Sequence, residues 1–223
     1  MTTTTIAHRP GSLRATTQYD YILLDGSSSM MSKWYETLSA IQSYVDAAKS
    51  GNVHSRVLLH VFDSNNADYI ARESLISDWT SLRDDAIGST WGSTPLYDAI
   101  TLMGRRLRDL DPPRASIVIV TDGDENGSRF TNLTQAKSIL DWCRAKGWQV
   151  TFIGADFNNS EQSRALGANE HTAIGVQQRK LTDAASALGR KRARYGLYGE
   201  GMDYTRDEQV QFGGFLSAPG ATS

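Results

Sequence analysis

The feature that most constrains this chain is an apolar run that ends abruptly in an acid, a glycine and three hydroxyl side chains. The run covers Tyr21 to Leu24, and Asp25, Gly26 and the serines 27–29 follow it directly. A short continuous apolar run of this kind is typical of a buried strand. Open α/β sheets bind ligands at the carboxyl ends of such strands. We therefore expect the chemistry of the chain to begin at Asp25.

The same pattern returns later in the chain. A continuous apolar run from Ile117 to Val120 is followed by Thr121, Asp122 and Gly123. Runs that are apolar on both faces are typical of the central strands of parallel sheets. A second buried strand is therefore predicted to end in a carboxylate.

Between and after these strands, apolar residues recur at spacings of three and four, as in amphipathic helices. One such stripe runs from Trp34 to Ala48 and a second from Leu96 to Leu110. Further helices are predicted over residues 133–146, 160–166 and 180–194, and further strands over residues 56–63, 69–79, 148–155 and 172–174. This alternation predicts an α/β fold, with a mainly parallel sheet, one antiparallel edge strand at residues 69–79, and helices on both faces.

The length of 223 residues suits one large domain. We expect a flexible arm over residues 1–18, the domain over residues 19–198, and a glycine-rich, loosely ordered tail over residues 199–223, where Phe212 and Phe215 are candidates for docking on the body. A formal net charge of −2, with 22% charged residues, gives no general attraction to nucleic acid or anionic lipid. A local site must therefore select the partner.

The single cysteine, Cys143, excludes a disulfide within the chain and is typical of a reducing compartment. Its apolar neighbours on a predicted helix indicate a packed thiol. No apolar leader is seen near Met1, and no segment reaches the roughly 20 apolar residues that cross a bilayer. We therefore expect a cytoplasmic protein that makes no membrane contact.

Asp25, Ser27 and Ser29 follow the spacing Asp-x-Ser-x-Ser, which directs one carboxylate and two hydroxyls toward one point. Hard oxygen ligands favour Mg²⁺, with Mn²⁺ and Ca²⁺ as alternatives, and make zinc a poor candidate. Read locally, the same residues also suit a serine-rich turn that caps the next helix.

This spacing resembles the first loop of the metal-ion-dependent adhesion site of von Willebrand factor A domains. The segment Gly92-Ser93-Thr94-Pro95-Leu96 resembles the second loop of that site, and Thr121-Asp122-Gly123 resembles the third. The resemblance covers about residues 19–194 and implies a three-layer, Rossmann-like fold. It also implies a complete set of metal ligands: Asp25, Ser27, Ser29, Thr94 and Asp122. Locally, Thr94 also suits a helix N-cap, because Pro95 is favoured at the first helical position.

The resemblance implies metal-dependent recognition of another protein, in which an Asp or Glu of the partner supplies a further oxygen to the ion. It points to a stand-alone bacterial or phage-type member of the cytosol. Such members often act beside AAA+ ATPases of the MoxR or chelatase type. This chain has no Gly-x-x-x-x-Gly-Lys-Ser/Thr loop, so ATP hydrolysis would belong to the partner.

The alternative function is a magnesium-dependent, phosphatase-like hydrolase, because haloacid-dehalogenase-like enzymes also place an acid at a strand end. Those enzymes carry a second Asp two residues later, where this chain has Ser27, and no lysine stands in the third loop. A serine hydrolase is disfavoured because the Gly-x-Ser-x-Gly elbow is missing around Ser27. We therefore predict that the protein is not an enzyme.

Three other features have structural interpretations. His60 lies inside a strand, where a lone histidine is typical of the core. Asp124 and Glu125 are interpreted as solvated loop residues that add negative potential. The basic run over residues 190–194 is interpreted as cations at the last turns of a helix, because no aromatic stacking motif accompanies it. Nucleic acid is therefore not an expected partner.

Overall fold

The computed structural model describes residues 17–51, 54–82, 87, 90–155 and 161–212. Within these residues the strands are β1 (Tyr19–Asp25), β2 (Arg56–Phe62), β3 (Tyr69–Leu75), β4 (Ala115–Val120), β5 (Gln149–Ala155) and β6 (Ala173–Val176). The helices are α1 (Trp34–Ala48), α2 (Leu96–Leu110), α3 (Leu133–Ala145), α4 (Glu161–Ala165), α5 (Leu181–Tyr198) and α6 (Arg206–Phe212). A 3₁₀ turn, Ser28–Lys33, joins β1 to α1.

The strands form one sheet in the order β3-β2-β1-β4-β5-β6. β1 pairs in parallel with β2 and β4, and β5 continues the parallel arrangement to β6. β3 pairs antiparallel with β2 at one edge. The predicted fold class is confirmed, and the strand that ends at Asp25 lies near the middle of the sheet.

Helices cover both faces because successive side chains of a strand point to opposite sides. Ile22 and Leu24 of β1 face a core formed with α1 and α5, whereas Tyr21 and Leu23 face a core formed with α2 and α3. Gly189 of α5 allows a close helix contact, since a Cβ there would lie 2.2 Å from the backbone oxygen of Tyr44 in α1.

A buried ion pair ties α5 to β1. Arg192 binds Asp20, both side chains are almost fully buried, and Ser55 Oγ donates to Asp20 Oδ2 at 2.6 Å. The hydroxyl of Tyr44 donates to Asp20 Oδ1 at 3.0 Å. The interpretation of residues 190–194 as cations at the last turns of a helix is wrong for Arg192, which α5 turns into the core, whereas Arg190 and Arg194 are exposed.

The chain after α5 also differs from the prediction. Met202, Tyr204 and Phe212 are buried, and the Tyr204 hydroxyl donates to the backbone oxygen of Ala184 in α5 at 3.0 Å. The predicted loose tail from Gly199 is therefore wrong for residues 199–212. These residues show no periodic pattern in the sequence, but their aromatic side chains pack against α5. Phe212 docks as expected. Residues 213–223 and 1–16 lie outside the described residues.

The two single residues noted in the sequence are structural. His60 is fully buried; its Nε2 donates to the backbone oxygen of Ala67 at 2.7 Å, so Nδ1 accepts from the Tyr21 hydroxyl at 2.8 Å. Burial lowers the pKa of His60 to about 4. Cys143 is a packed thiol whose pKa is raised by burial to about 12.

Over the described residues, every helix is too short or too polar to span a bilayer.

Candidate metal centre

The parallel pairing of β1 and β4 brings two predicted site segments to the same edge of the sheet. Leu24 lies opposite Val120, so the next residues of each strand, Asp25 and Thr121, are neighbours. Thr121 Oγ1 donates a hydrogen bond of 2.7 Å to Asp25 Oδ2. The first and third loops are therefore joined through the carboxylate of Asp25.

Hydrogen bonds connect four of the five predicted ligands. The backbone N–H of Ser27 donates to Asp25 Oδ1 at 2.8 Å, and Ser27 Oγ lies 3.0 Å from Ser29 Oγ. Ser29 Oγ in turn donates to Asp122 Oδ1 at 2.7 Å. The spacing Asp-x-Ser-x-Ser thus folds into a tight turn that directs its polar atoms toward the third loop.

The second loop reaches the same place through backbone contacts. Trp91 N–H donates to the Gly26 oxygen at 2.7 Å, and Ser28 N–H donates to the Gly92 oxygen at 3.0 Å. Thr94 N–H donates to Asn126 Oδ1 at 2.8 Å, which fixes Thr94 beside the third loop. No direct bond of the Thr94 hydroxyl to another candidate ligand is found within the described residues.

The alternative interpretation of Thr94 as a helix N-cap is wrong. Helix α2 begins at Leu96, and Pro95 occupies the N-cap position without a side-chain cap. Thr94 is only 2% exposed, and its hydroxyl makes no hydrogen bond to any other described residue. The hydroxyl is therefore available for another role.

Glu125, and not Thr94, provides the side-chain hydrogen bond to the N-terminus of α2. Its carboxylate accepts hydrogen bonds from the backbone N–H groups of Tyr97, Gly127 and Ser128 at 3.0, 2.8 and 2.6 Å. The interpretation of Glu125 as a solvated loop residue is therefore wrong, whereas Asp124 is exposed as expected. No local pattern indicates this contact, since Glu125 and Tyr97 lie 28 residues apart.

Lys33 is a site residue that the sequence reasoning missed. Its Nζ lies 2.9 Å from Asp122 Oδ2, because the 3₁₀ turn after Ser29 brings residue 33 back over the third loop. The third loop itself has no lysine, a lack that disfavours a hydrolase, but Lys33 from the first loop reaches the carboxylate of Asp122 and removes that objection. The missing second acid at Ser27 still disfavours the hydrolase.

The electrostatics of the site favour a cation. Asp25 is fully buried, and desolvation raises its pKa to about 6 even though Thr121 and Ser27 donate hydrogen bonds to it. Burial penalises the charged form, and a nearby positive charge would offset that penalty. Among the described residues, no group of three His, Cys, Asp or Glu side chains is placed to hold a metal. The candidate set of two carboxylates and three hydroxyls fits a hard divalent ion such as Mg²⁺ or Mn²⁺.

No known family profile and no curated protein matches the chain, but solved structures do. A von Willebrand factor type A protein from Catenulispora acidiphila has a TM-score of 0.60 at 14% identity, over 80% of this chain and 43% of that protein. The von Willebrand factor domain of the type V pili tip protein Mfa5 from Porphyromonas gingivalis has a TM-score of 0.56 at 12% identity, over 83% of this chain and 98% of that domain.

A third similar structure is the manganese-loaded TRAP protein of Plasmodium vivax. Its TM-score is 0.52 at 13% identity, over 77% of this chain and 72% of that protein. The present chain has the von Willebrand factor A fold, and identities this low show the fold alone. It spans less than half of the Catenulispora protein.

Proposed function

We propose that this chain is a metal-dependent protein-binding module, in which Asp25, Ser27, Ser29, Thr94 and Asp122 hold Mg²⁺, with Mn²⁺ and Ca²⁺ as alternatives. The observation that carries the proposal is the hydrogen-bonded series from Ser27 through Ser29 to Asp122, beside the buried carboxylate of Asp25. These oxygen atoms lie at the edge of the sheet where parallel strands end and where α/β folds bind ligands.

The residues of the site have separable roles. Asp25 and Asp122 supply negative charge, and the hydroxyls of Ser27, Ser29 and Thr94 supply neutral oxygens. Magnesium prefers octahedral coordination and keeps several waters, so this set leaves part of the shell open. When bound, the ion supplies a positive charge and an open position for a carboxylate. The proposed partner is therefore a protein that presents an Asp or Glu to this face.

The similar structures support the general class of function. One of them is a manganese-loaded protein and another is the tip protein of a pilus. The more specific partner, an AAA+ ATPase, rests on the sequence resemblance alone. The cytoplasmic location likewise rests on the single cysteine, whereas a pilus protein acts outside the cell. Cell fractionation of the native host decides between the two locations.

Metal titration tests the proposed site directly. Calorimetry of the chelator-treated protein is expected to show one binding site for Mg²⁺ or Mn²⁺, because one cluster of oxygen ligands is assembled. The double variant Asp25→Asn with Asp122→Asn is expected to show none. Asp124→Asn is the matched control, since it removes an exposed acid of the same loop. Equal metal binding by the double variant would rule out the assignment.

One observation keeps the hydrolase as a second candidate, namely the contact of Lys33 with Asp122. A lysine beside an acid at a strand end is an arrangement that stabilises phosphoryl groups. Turnover of a generic phosphomonoester by the magnesium-loaded protein, lost in Asp25→Asn, would establish it. We expect no such turnover, because no second carboxylate stands at position 27.

A further inference from the structure

Large apolar side chains are exposed on the segments that carry the candidate ligands. The four residues concerned, with their exposed fractions, are Met31 (62%), Tyr35 (66%), Trp91 (62%) and Phe130 (88%). We call this group the apolar rim. The other exposed large apolar side chains of the described residues lie on β3, α5 and α6.

The backbones beneath the apolar rim are fixed. Trp91 N–H is bonded to the Gly26 oxygen of the first loop at 2.7 Å. Phe130 N–H donates to the Asp98 carboxylate in the first turn of α2 at 3.1 Å. Met31 belongs to the 3₁₀ turn that follows Ser29. The backbones of Trp91 and Phe130 are therefore hydrogen-bonded to the first loop and to α2.

The exposed aromatic area of the apolar rim is considerable. Aromatic side chains carry about 150–250 Å² each, so the exposed fractions of Tyr35, Trp91 and Phe130 amount to roughly 400 Å². That sum is about half of what one side of a standard protein interface buries, which is roughly 800 Å². A short segment of a partner suits it better than a broad surface.

Charge and coordination together decide which group stands at the centre of that segment. Asp25, Asp122 and the Lys33 ammonium sum to −1, and a divalent ion brings these groups to +1, while the exposed Asp124 of the same loop adds one negative charge. The N-termini of α1 and α2 face the same edge and add positive potential. The open coordination position of the ion and these two helix N-termini therefore favour one acidic group at the centre, with apolar groups around it.

We propose that the apolar rim binds a short segment of the partner in which the metal-seeking Asp or Glu is flanked by aromatic or large aliphatic side chains. This inference rests on the proposed metal-dependent function and adds the chemistry of the flanking residues. Aromatic residues are enriched among the side chains that dominate binding energy at interfaces. Trp91 is the principal anchor, because it is large and its backbone is bonded to the first metal loop.

A phage-displayed library of short random peptides tests the inference. The library is panned on the immobilised full-length chain in Mg²⁺, and bound phage are released with EDTA. We expect the released peptides to carry an acid with an apolar neighbour within two positions, severalfold more often than the starting library. Synthetic copies are then measured by fluorescence anisotropy.

Variants separate the two proposals. Trp91→Ser and Phe130→Ser are each expected to weaken the best peptide about tenfold, whereas Leu197→Ser, an exposed apolar residue of α5, leaves it unchanged. If the released peptides carry acids with polar neighbours, the apolar rim is overturned and the metal-dependent function stands. If EDTA releases no more peptide from the wild-type chain than from the Asp25→Asn and Asp122→Asn double variant, both proposals fail.

Discussion

Lys33 Nζ lies 2.9 Å from Asp122 Oδ2, so a cation of the chain itself is paired with one of the two candidate carboxylates. Asp122 is almost fully buried and Lys33 is partly buried, which makes the contact stronger than an exposed surface pair. The lysine lowers the negative potential that a divalent ion would meet. It therefore competes with the ion for the same oxygen.

Replacing Lys33 by Met is expected to raise the affinity for Mg²⁺ about tenfold, since a positive charge next to Asp122 is removed. Calorimetric titration of the chelator-treated variant measures the change. Lys49→Met is the control, because Lys49 pairs with the exposed Asp46 at the far end of α1. An unchanged or lower affinity would mean that Lys33 supports the site and does not compete.

Asp25→Asn is expected to leave the metal-free protein at least as stable as the wild type. Burial raises the pKa of Asp25 from 3.8 to about 6. The contribution of the protonated carboxyl to folding stability is therefore fully present below pH 3.8 and is lost as the pH rises through about 6. At neutral pH the charged group costs about 3 kcal/mol, which a neutral amide avoids.

The same variant should lose the stabilisation that Mg²⁺ gives by binding the native state. Thermal melts with Mg²⁺ and with EDTA measure both effects together. A variant that melts earlier in EDTA, yet is still stabilised by Mg²⁺, would contradict the role given to Asp25.

Thr94→Val should change stability little and weaken metal binding. The hydroxyl makes no cap bond to α2, and it meets no partner among the described residues, so its loss leaves the helix intact. Melting and metal titration of Thr94→Val, compared with Ser93→Ala in the same loop, test this. A large loss of stability with normal metal binding would assign Thr94 a purely structural role.

The loss of folding stability at acid pH is expected to depend on His60. Its folded pKa of about 4 lies below the ordinary 6.5, so the unfolded chain binds the extra proton between these values. Stability therefore falls as the pH is lowered from about 6.5 to 4, by up to roughly 3 kcal/mol. His60→Gln should flatten that decline, measured by urea unfolding in EDTA at pH 7.5 and 4.5. Parallel declines in both proteins would exclude His60 as the cause.

Arg192→Met is expected to destabilise the fold by about 3–5 kcal/mol, because Asp20 would remain buried without its counter-ion. Adding Asp20→Asn to that variant should recover much of the loss. Urea unfolding measures both variants, and Arg190→Met at an exposed position of α5 is the control. A single variant as stable as the wild type would show that the ion pair contributes nothing to stability.

The sequence predicts those parts of the molecule that depend on local pattern. Apolar runs and regular stripes predict the strands and helices, and their alternation predicts the mainly parallel sheet with its antiparallel edge strand. The three loops around Asp25, Thr94 and Asp122 are predicted by their resemblance to the von Willebrand factor A site. Hydrogen bonds now join the first and third loops directly, and backbone contacts join the second.

Features that depend on contacts between distant segments were not predictable in this way. Glu125 binds the backbone N–H of Tyr97, 28 residues earlier in the chain, and Arg192 pairs with an acid 172 residues away. Lys33 has no motif of its own, and its contact depends on the geometry of a 3₁₀ turn. In each case the partner of the charged side chain lies far off in the sequence.

Strand β1 carries a buried acid near each end, Asp20 and Asp25. Asp20 is compensated inside the molecule by Arg192, whereas the groups that donate to Asp25 within the described residues are neutral. The charge at one end of the strand is thus neutralised within the molecule, and the proposed ion would neutralise the charge at the other. Binding of that ion would place a cation at a single edge of a chain with a net charge of only −2, without an acidic surface that attracts cations everywhere.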